Sequence, residues 1–470
     1  MSRNFAEPGE YPVGTAPPPG GPNEPALGAR EAKLAGEPNP LTRLLKLLGP
    51  GLITGASDDD PSGIGTYAVA GASLGFATLW TALITFPLMA AVQYTCAKIG
   101  LASKRGLAGV LRQHYPPALV YPAVLALFVA NTINAGADIG AIAAGVNLLV
   151  PVPPVLLIIP IAVGIIALLL LGSYRLIASV FKWLSLALVA YIAAALLSRP
   201  NLGEVLRGTF IPTMSFDGKF LSTLVAILGT TISPYLFFWQ TDQEVEEQKA
   251  IQAETAAEER KKRVYWPWRR LPWRRRGVSD AELTYAALDT NFGMLVSNVV
   301  MYFIILATAA TLYKHGQTNI QSATDAAQAL RPFAGDAASA LLAFGLIGAG
   351  FLAVPILVGS AAYAASEALG WRYGLDHQPQ RARQFYGVIA ASTLIGMLVN
   401  FVGINPIDAL FWTSVINGFL APPLMLLVLV VANNRAIMGE RVNRFWTNAL
   451  GGLATLAMTA AAVAFVVTGL

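Results

Sequence analysis

The sequence predicts an all-α integral membrane protein of about eleven transmembrane helices, arranged as two inverted five-helix repeats in which helices 1 and 6 are broken. Three observations predict it. The chain is 55% hydrophobic and only 13% charged over 470 residues, where a soluble domain carries roughly 25% charged residues. Apolar stretches of about 20 residues or more recur along it, each long enough to cross a ~30 Å hydrocarbon layer. Two of those stretches, the first and the sixth, hold helix-breaking polar motifs in corresponding places of two halves, the mark of an inverted-repeat transporter.

Residues 1–42 are rich in Pro, Gly and Glu and show no apolar periodicity. They read as a disordered tail without the apolar core of a signal peptide. The predicted spans are 46–75, 77–101, 119–149, 153–172, 176–198, 219–246, 289–313, 336–367, 385–404, 406–432 and 446–469. Residues 43–445 form the transporter core, interrupted by a basic loop at 248–280, and 446–470 add a further C-terminal helix. Basic residues set the orientation. Lys98, Lys104, Arg105 and Arg112, then Arg175, the 260–276 stretch, Arg372, Arg381 and Arg383, and finally Arg435, Arg441 and Arg444 fall in alternate loops. This places the N-terminus in the cytoplasm and, with an odd number of spans, the C-terminus outside, in a plasma or inner membrane.

Composition also excludes. The net charge of +5 is modest and basic residues cluster in those loops, with only scattered charges such as Arg199, Arg207, Lys219, Lys314 and Arg331 in the opposite ones and no basic face of the kind a nucleic-acid binder needs. The one cysteine, Cys96, rules out an intramolecular disulfide and a Cys-based metal site, and its apolar surroundings read as a buried thiol. His114, His315 and His377 all fall in predicted loops, so no imidazole is available inside the membrane. The stretch Arg260–Arg276 interleaves Trp266, Trp268 and Trp273 with nine Arg and Lys residues. It reads as an interfacial segment on anionic headgroups, with a regulatory or partner-binding role as the alternative.

The first span carries Asp58-Asp59-Asp60-Pro61-Ser62-Gly63. A central aspartate costs roughly 2.5–3.5 kcal/mol on insertion scales, and proline removes a backbone donor. The physical solution is an unwound segment buried in protein and lining a wet cavity. A plain loop between two short helices is the competing reading, but the flanks Leu48–Ser57 and Ile64–Ala77 are each too short to span alone. The sixth span is interrupted at Gly229-Thr230-Thr231-Ile232-Ser233-Pro234-Tyr235. The third holds Asp138 between Gly136 and Gly140, a pair of small residues that permits close helix approach. Asp138 is expected to be buried against other helices, in either a structural or an ion-path role.

At these residues the sequence resembles the NRAMP family of divalent-metal transporters, which have the LeuT-like inverted-repeat fold. Gly49-Pro50-Gly51 followed by Asp60-Pro61-Ser62-Gly63 resembles the family's first helix with its Asp-Pro-Gly-Asn motif. Gln93 through Tyr115, with Lys98-Ile99-Gly100 and Arg105-Gly106-Leu107, is similar to the second helix and the loop after it. Thr230-Thr231-Ile232-Ser233-Pro234 aligns with the family's Ala-x-x-Met-Pro segment, and Asn434-Arg435 with Met438-Gly439-Glu440 resembles the loop after helix ten. The resemblance covers roughly 45–445.

The departures point to a branch of the family. The family's ligand aspartate corresponds to Asp60, its metal-binding asparagine to Gly63 and its sixth-helix methionine to Ser233. The implied donors are all oxygens: Asp60, Asp59, the Ser233 hydroxyl, and carbonyls near Ser57 and Thr230. Such a set suits a hard, water-retaining ion, with Mg²⁺ the obvious candidate. The family's proton-route histidine corresponds to Tyr235 and its first third-helix aspartate to Ala135, leaving Asp138. These changes resemble the NRAMP-related magnesium transporters and imply Mg²⁺ and Mn²⁺ uptake by alternating access without proton coupling. The ion is substrate; no cofactor, no enzyme activity and no partner beyond divalent metal and the lipid bilayer is called for. The alternatives are a proton-coupled Mn²⁺/Fe²⁺ symporter and a carrier of an organic amine on the same fold. An intramembrane aspartyl protease would need Asp60 and Asp138 to meet outside any motif typical of that chemistry.

Overall fold

The computed structural model describes residues 49–171, 190–265, 278–320, 322–375 and 377–469. The tail 1–42, residues 176–189 of the predicted fifth span and most of the Trp/Arg stretch lie outside the described residues. The helices are α1 (Pro50–Asp58), α2 (Pro61–Leu74), α3 (Trp80–Ser103), α4 (Leu107–His114), α5 (Pro117–Leu149), α6 (Pro154–Leu171), α7 (Ala190–Leu197) and α8 (Leu202–Phe210). They continue with α9 (Gly218–Thr231), α10 (Pro234–Tyr265), α11 (Asp280–Thr311), α12 (Ala338–Leu369), α13 (Arg383–Val399), α14 (Pro406–Asn433) and α15 (Phe445–Gly469), with short helical turns between α11 and α12 and before α15.

Among the described residues, eight helices are long and apolar enough to cross a membrane, and α13 is a shorter apolar helix. The predicted first and sixth spans are each two helices in line. α1 stops at Asp58 and α2 starts at Pro61, while α9 stops at Thr231 and α10 starts at Pro234. Each gap is two residues, narrower than the polar motif that announces it, because a proline at the first helical position restarts the helix at once. The sixth span does not end near residue 246: α10 runs on to Tyr265, so the first part of the segment expected as a loop is helix. Its Glu-, Gln-, Ala- and Lys-rich sequence has high helix propensity. α11 likewise begins earlier than its apolar run, where Ser279 and Glu282 form a capping box.

Packing follows the small residues. α5 and α12 lie against each other along much of their length. A Cβ at Gly136 would strike the carbonyl of Gly396, so the paired glycines of the third span serve close approach to α13. The basic loops gather on one face: Lys98 at the end of α3 donates to the Val442 carbonyl at 2.8 Å, Arg441 pairs with Asp280, and Arg112 reaches the Glu367 carbonyl at the end of α12. Cys96 is buried.

One cap holds the first helix to the seventh span. The first turn of α1 leaves backbone N–H groups without intrahelical acceptors, and no side chain of its own caps it. The Asp289 carboxylate of α11 accepts from Gly49, Gly51 and Leu52 N–H at 3.0, 2.7 and 3.1 Å. Bare glycine on both sides permits this, since a Cβ at Gly293 would run into the Gly51 carbonyl. Asp289→Ala is expected to cost about 1–3 kcal/mol. The change reads as a lower melting temperature in detergent and faster labelling of a cysteine placed at Leu52; an unchanged melt would mean that packing alone holds α1.

Candidate functional site

The site is built from the two breaks. Asp60 has extended backbone and caps α2: its Oδ1 accepts from the Gly63 N–H at 2.7 Å and from the Ser62 hydroxyl at 2.6 Å. Its Oδ2 accepts from Asn134 Nδ2 of α5, at 3.2 Å. The same Asn134 nitrogen donates to Asp138 Oδ2 at 3.2 Å, and Asn417 of α14 donates to Asn134 Oδ1 at 3.3 Å. Asn134 therefore joins the two carboxylates of the first and third spans. Asp60 is 1% exposed and Asp138 is fully buried.

The second break meets the first at Gly63. A Cβ there would lie 3.2 Å from Thr230 Oγ1 and 3.3 Å from both the Asp58 carbonyl oxygen and a Tyr67 ring carbon. Among the described residues, buried Thr230 Oγ1, which neighbours the Tyr67 hydroxyl, makes no hydrogen bond of good geometry, and the same holds for Asp138 Oδ1 and Asp58 Oδ1. Buried oxygens left without donors inside an acidic cluster are what a cation would satisfy. The Ser233 hydroxyl donates back to the carbonyls of Thr230 and Gly229 at 2.7 and 3.0 Å, keeping its oxygen lone pairs available. Tyr235 donates through its hydroxyl to the Ser57 carbonyl at 2.8 Å, tying the start of α10 to the last turn of α1.

The three adjacent aspartates thus part company. Asp60 faces Asn134, while Asp58 and Asp59 face α11, where Ser297 Oγ donates to Asp58 Oδ2 at 2.7 Å and lies 3.2 Å from Asp59 Oδ1. Sequence reasoning passed over Ser297, Asn417 and the bridging role of Asn134. Their signal was present as uncharged polar side chains in the middle of apolar spans, each of which needs a partner in hydrocarbon. What the sequence does not carry is which carboxylate each one faces. Among the described residues no group of three or more His, Cys, Asp and Glu side chains is poised around a metal. The set that converges here is one carboxylate with hydroxyls, an amide and carbonyls.

The profile of the Nramp family, described as natural resistance-associated macrophage protein-like, matches residues 51–468. The chain belongs to the Nramp family. Curated relatives include the divalent metal cation transporter MntH of Deinococcus radiodurans, 27% identical over 436 residues that cover 90% of each chain. The protein of the same name from Klebsiella pneumoniae is 25% identical over 435 residues, 91% of this chain and 93% of that one. Among solved structures, the manganese transporter of Eremococcus coleocola superposes with a TM-score of 0.69 at 18% identity, covering 90% of this chain and 86% of that one. A closed conformation of the nucleobase-cation-symport-1 transporter Mhp1 gives 0.56 at 13% identity over 89% and 91%. These likenesses establish the broken-helix inverted-repeat fold. Nramp membership makes the chain a multi-pass membrane transporter and not an enzyme.

In this Nramp chain Asn134 is the joint between the Asp60 and Asp138 carboxylates. Asn134→Leu removes the donor of both and leaves their Oδ2 atoms bare. It is expected to lower metal uptake into proteoliposomes by about tenfold or more, while Asn134→Ser, which keeps a donor, retains part of it. Equal uptake by wild type and Asn134→Leu would show that the bridge is dispensable.

Proposed function

We propose that this protein carries divalent metal cations across the membrane by alternating access, taking up Mg²⁺ and also Mn²⁺, without coupling to protons. One observation carries the reading: the two helix breaks meet at Gly63 and Thr230, beside Asp60, with oxygen donors on both sides. Divalent metal transport is the coarser part, supported by Nramp membership and by relatives named as divalent metal cation transporters. Choice of Mg²⁺ is the finer part and rests on Ser233 and Gly63. Where the family pattern has a soft thioether, Ser233 offers a hydroxyl, and hard oxygen ligands suit Mg²⁺ and Mn²⁺. Asp60 would hold the ion directly. The carbonyl of Ser57, and Thr230 and Ser233, would complete the shell with retained waters, and Asp59, turned to Ser297 of α11, would join it only if that contact were given up; at Gly63 the absence of a side chain is what lets the two breaks approach.

The driving force does not require a proton. A membrane potential of −100 mV supplies roughly 4.6 kcal/mol for an inward divalent charge. Tyr235, in the place of the family's proton-route histidine, is committed to the Ser57 carbonyl. One observation favours the proton-coupled Mn²⁺/Fe²⁺ reading instead, the Asn134 bridge that puts Asp138 next in line to Asp60. In both readings the face bearing Lys98, Arg112 and Arg441 is cytoplasmic, in a plasma or inner membrane, by the positive-inside rule.

Proteoliposomes holding a pH-sensitive dye separate the two. The expected result is Mg²⁺ and Mn²⁺ uptake with no acidification, mutual competition of the two ions, and loss of both on Asp60→Asn. Acidification that follows Mn²⁺ entry, or Mn²⁺ uptake indifferent to excess Mg²⁺, would replace this reading with the symporter. Ser233→Met is expected to shift preference toward Mn²⁺ and Cd²⁺ over Mg²⁺, measured as the ratio of competing uptakes.

A further inference from the structure

Away from the ion site, α12 ends in a turn that builds a cavity. Gly370 takes a left-handed conformation at φ 75°, and the Trp371 N–H returns to the Ser366 carbonyl at 2.8 Å, closing the helix. The chain beyond it lays Trp371 and Tyr373 against the extension of α10. The resulting cavity, about 380 Å³, is lined by Lys249, Trp371, Arg372, Tyr373, His377 and Arg381. One lysine, two arginines, a histidine and two aromatic rings line it, with the Glu246 carboxyl behind the wall at Gly374. Lys249 Nζ sits 6.0 Å from the centre of the Tyr373 ring.

A neighbouring cavity of about 490 Å³ shares Trp371 and Tyr373 and adds Arg105 and Arg112. Its carboxylate, Glu367, is already committed: Oε1 accepts from the Gly106 N–H at 2.9 Å and Oε2 from the Gly109 N–H at 2.8 Å. Nearby Glu246 is bonded to the Tyr363 hydroxyl. Behind the cavity Lys249 acts electrostatically on buried Asp242 and Glu367, while among the described residues no salt bridge within 4 Å joins Arg372 or Arg381 to a carboxylate.

The geometry points to a binding site for a phosphate-bearing anion, held by Lys249, Arg372 and Arg381 with its organic part against Trp371 and Tyr373. Guanidinium groups present paired donors that match phosphate oxygens, and aromatic faces take a planar base or the stem of a headgroup. The volume is that of a small-molecule pocket. Two sources share this chemistry, a soluble nucleotide and an anionic lipid headgroup. Because Lys249 belongs to the α10 extension and the arginines to the segment between α12 and α13, an occupant would tie the two together. The site does not depend on which ion is transported.

The test uses the full chain in nanodiscs of phosphatidylcholine, titrated calorimetrically with ADP in EDTA. We expect saturable binding that pyrophosphate competes away and that the double substitution Arg372→Gln with Arg381→Gln weakens about tenfold or more. Arg331→Gln, in a cation remote from the cavity, leaves it unchanged. Loss of ADP binding when phosphatidylglycerol is included assigns the site to a lipid headgroup, and its persistence assigns it to a nucleotide. If neither ADP nor pyrophosphate binds, retention of phosphatidylglycerol by purified wild type and its loss from the double variant still supports the site. Absence of all three, or equal affinity in wild type and double variant, overturns it. Should the double variant misfold by size-exclusion, Lys249→Gln carries the same comparison.

Discussion

A single carboxylate placed at a helix break organises this transporter. Burying Asp60 in an unbroken helix would set a bare charge in hydrocarbon, at a cost of several kcal/mol. Ending α1 two residues earlier turns the same side chain into the cap of α2, where the helix dipole and the Gly63 N–H favour negative charge. The cap fills Oδ1 and leaves Oδ2 with one amide donor. The group is thus hydrogen-bonded within the fold, while a carboxylate oxygen with one such donor still has acceptor capacity. Proline after aspartate makes this geometry nearly obligatory, because it disfavours helical backbone before it and favours it after.

That constraint is why so much of the centre was legible in the sequence. Asp-Pro and Ser-Pro in apolar spans announce where helices must break, and both do so. Gly136 and Gly140 announce a close crossing, and the structure supplies α13 as the neighbour. What stayed hidden are the pairings that need a third dimension. Nothing in the run of three aspartates says that Asp58 and Asp59 turn to Ser297 while Asp60 turns to Asn134. Likewise, only the approach of α1 makes Asp289, at the head of the seventh span, a cap for another helix. The length of α10 was misjudged for a different reason. Hydropathy reports where lipid ends, and helix propensity reports where the helix ends; beyond residue 246 the two separate.

The hydroxyl of Tyr235 illustrates how one substitution can serve two ends. An imidazole at that place can gain and lose a proton near neutral pH, whereas a phenol with an ordinary pKa near 10 stays neutral. As a donor the phenol is well suited to a carbonyl at a helix end, and it takes one lone pair of Ser57. The result is a site whose backbone is fixed by a group that does not titrate.

Which contacts hold α1 then bears on how such a site can open. On the α11 side it is gripped by carboxyl acceptors, with Asp289 taking three N–H groups and Asp58 taking the Ser297 hydroxyl, and the two backbones touch at glycine. On the α10 side it is gripped by neutral groups, Tyr235 on the Ser57 carbonyl and the Thr54 hydroxyl on Gln240 at 2.5 Å. The α11 side thus holds α1 by four hydrogen bonds and a glycine backbone contact, the α10 side by two hydrogen bonds. If transport opens the site to one side, α1 would part from α10 more readily than from α11. The first and seventh spans would travel as a pair, and the break between α9 and α10 would be left behind with Ser233 and Thr230. Opening in this way would take apart the oxygens that the two breaks bring together, so that under the proposed transport release of the ion and movement of the helix would be one event.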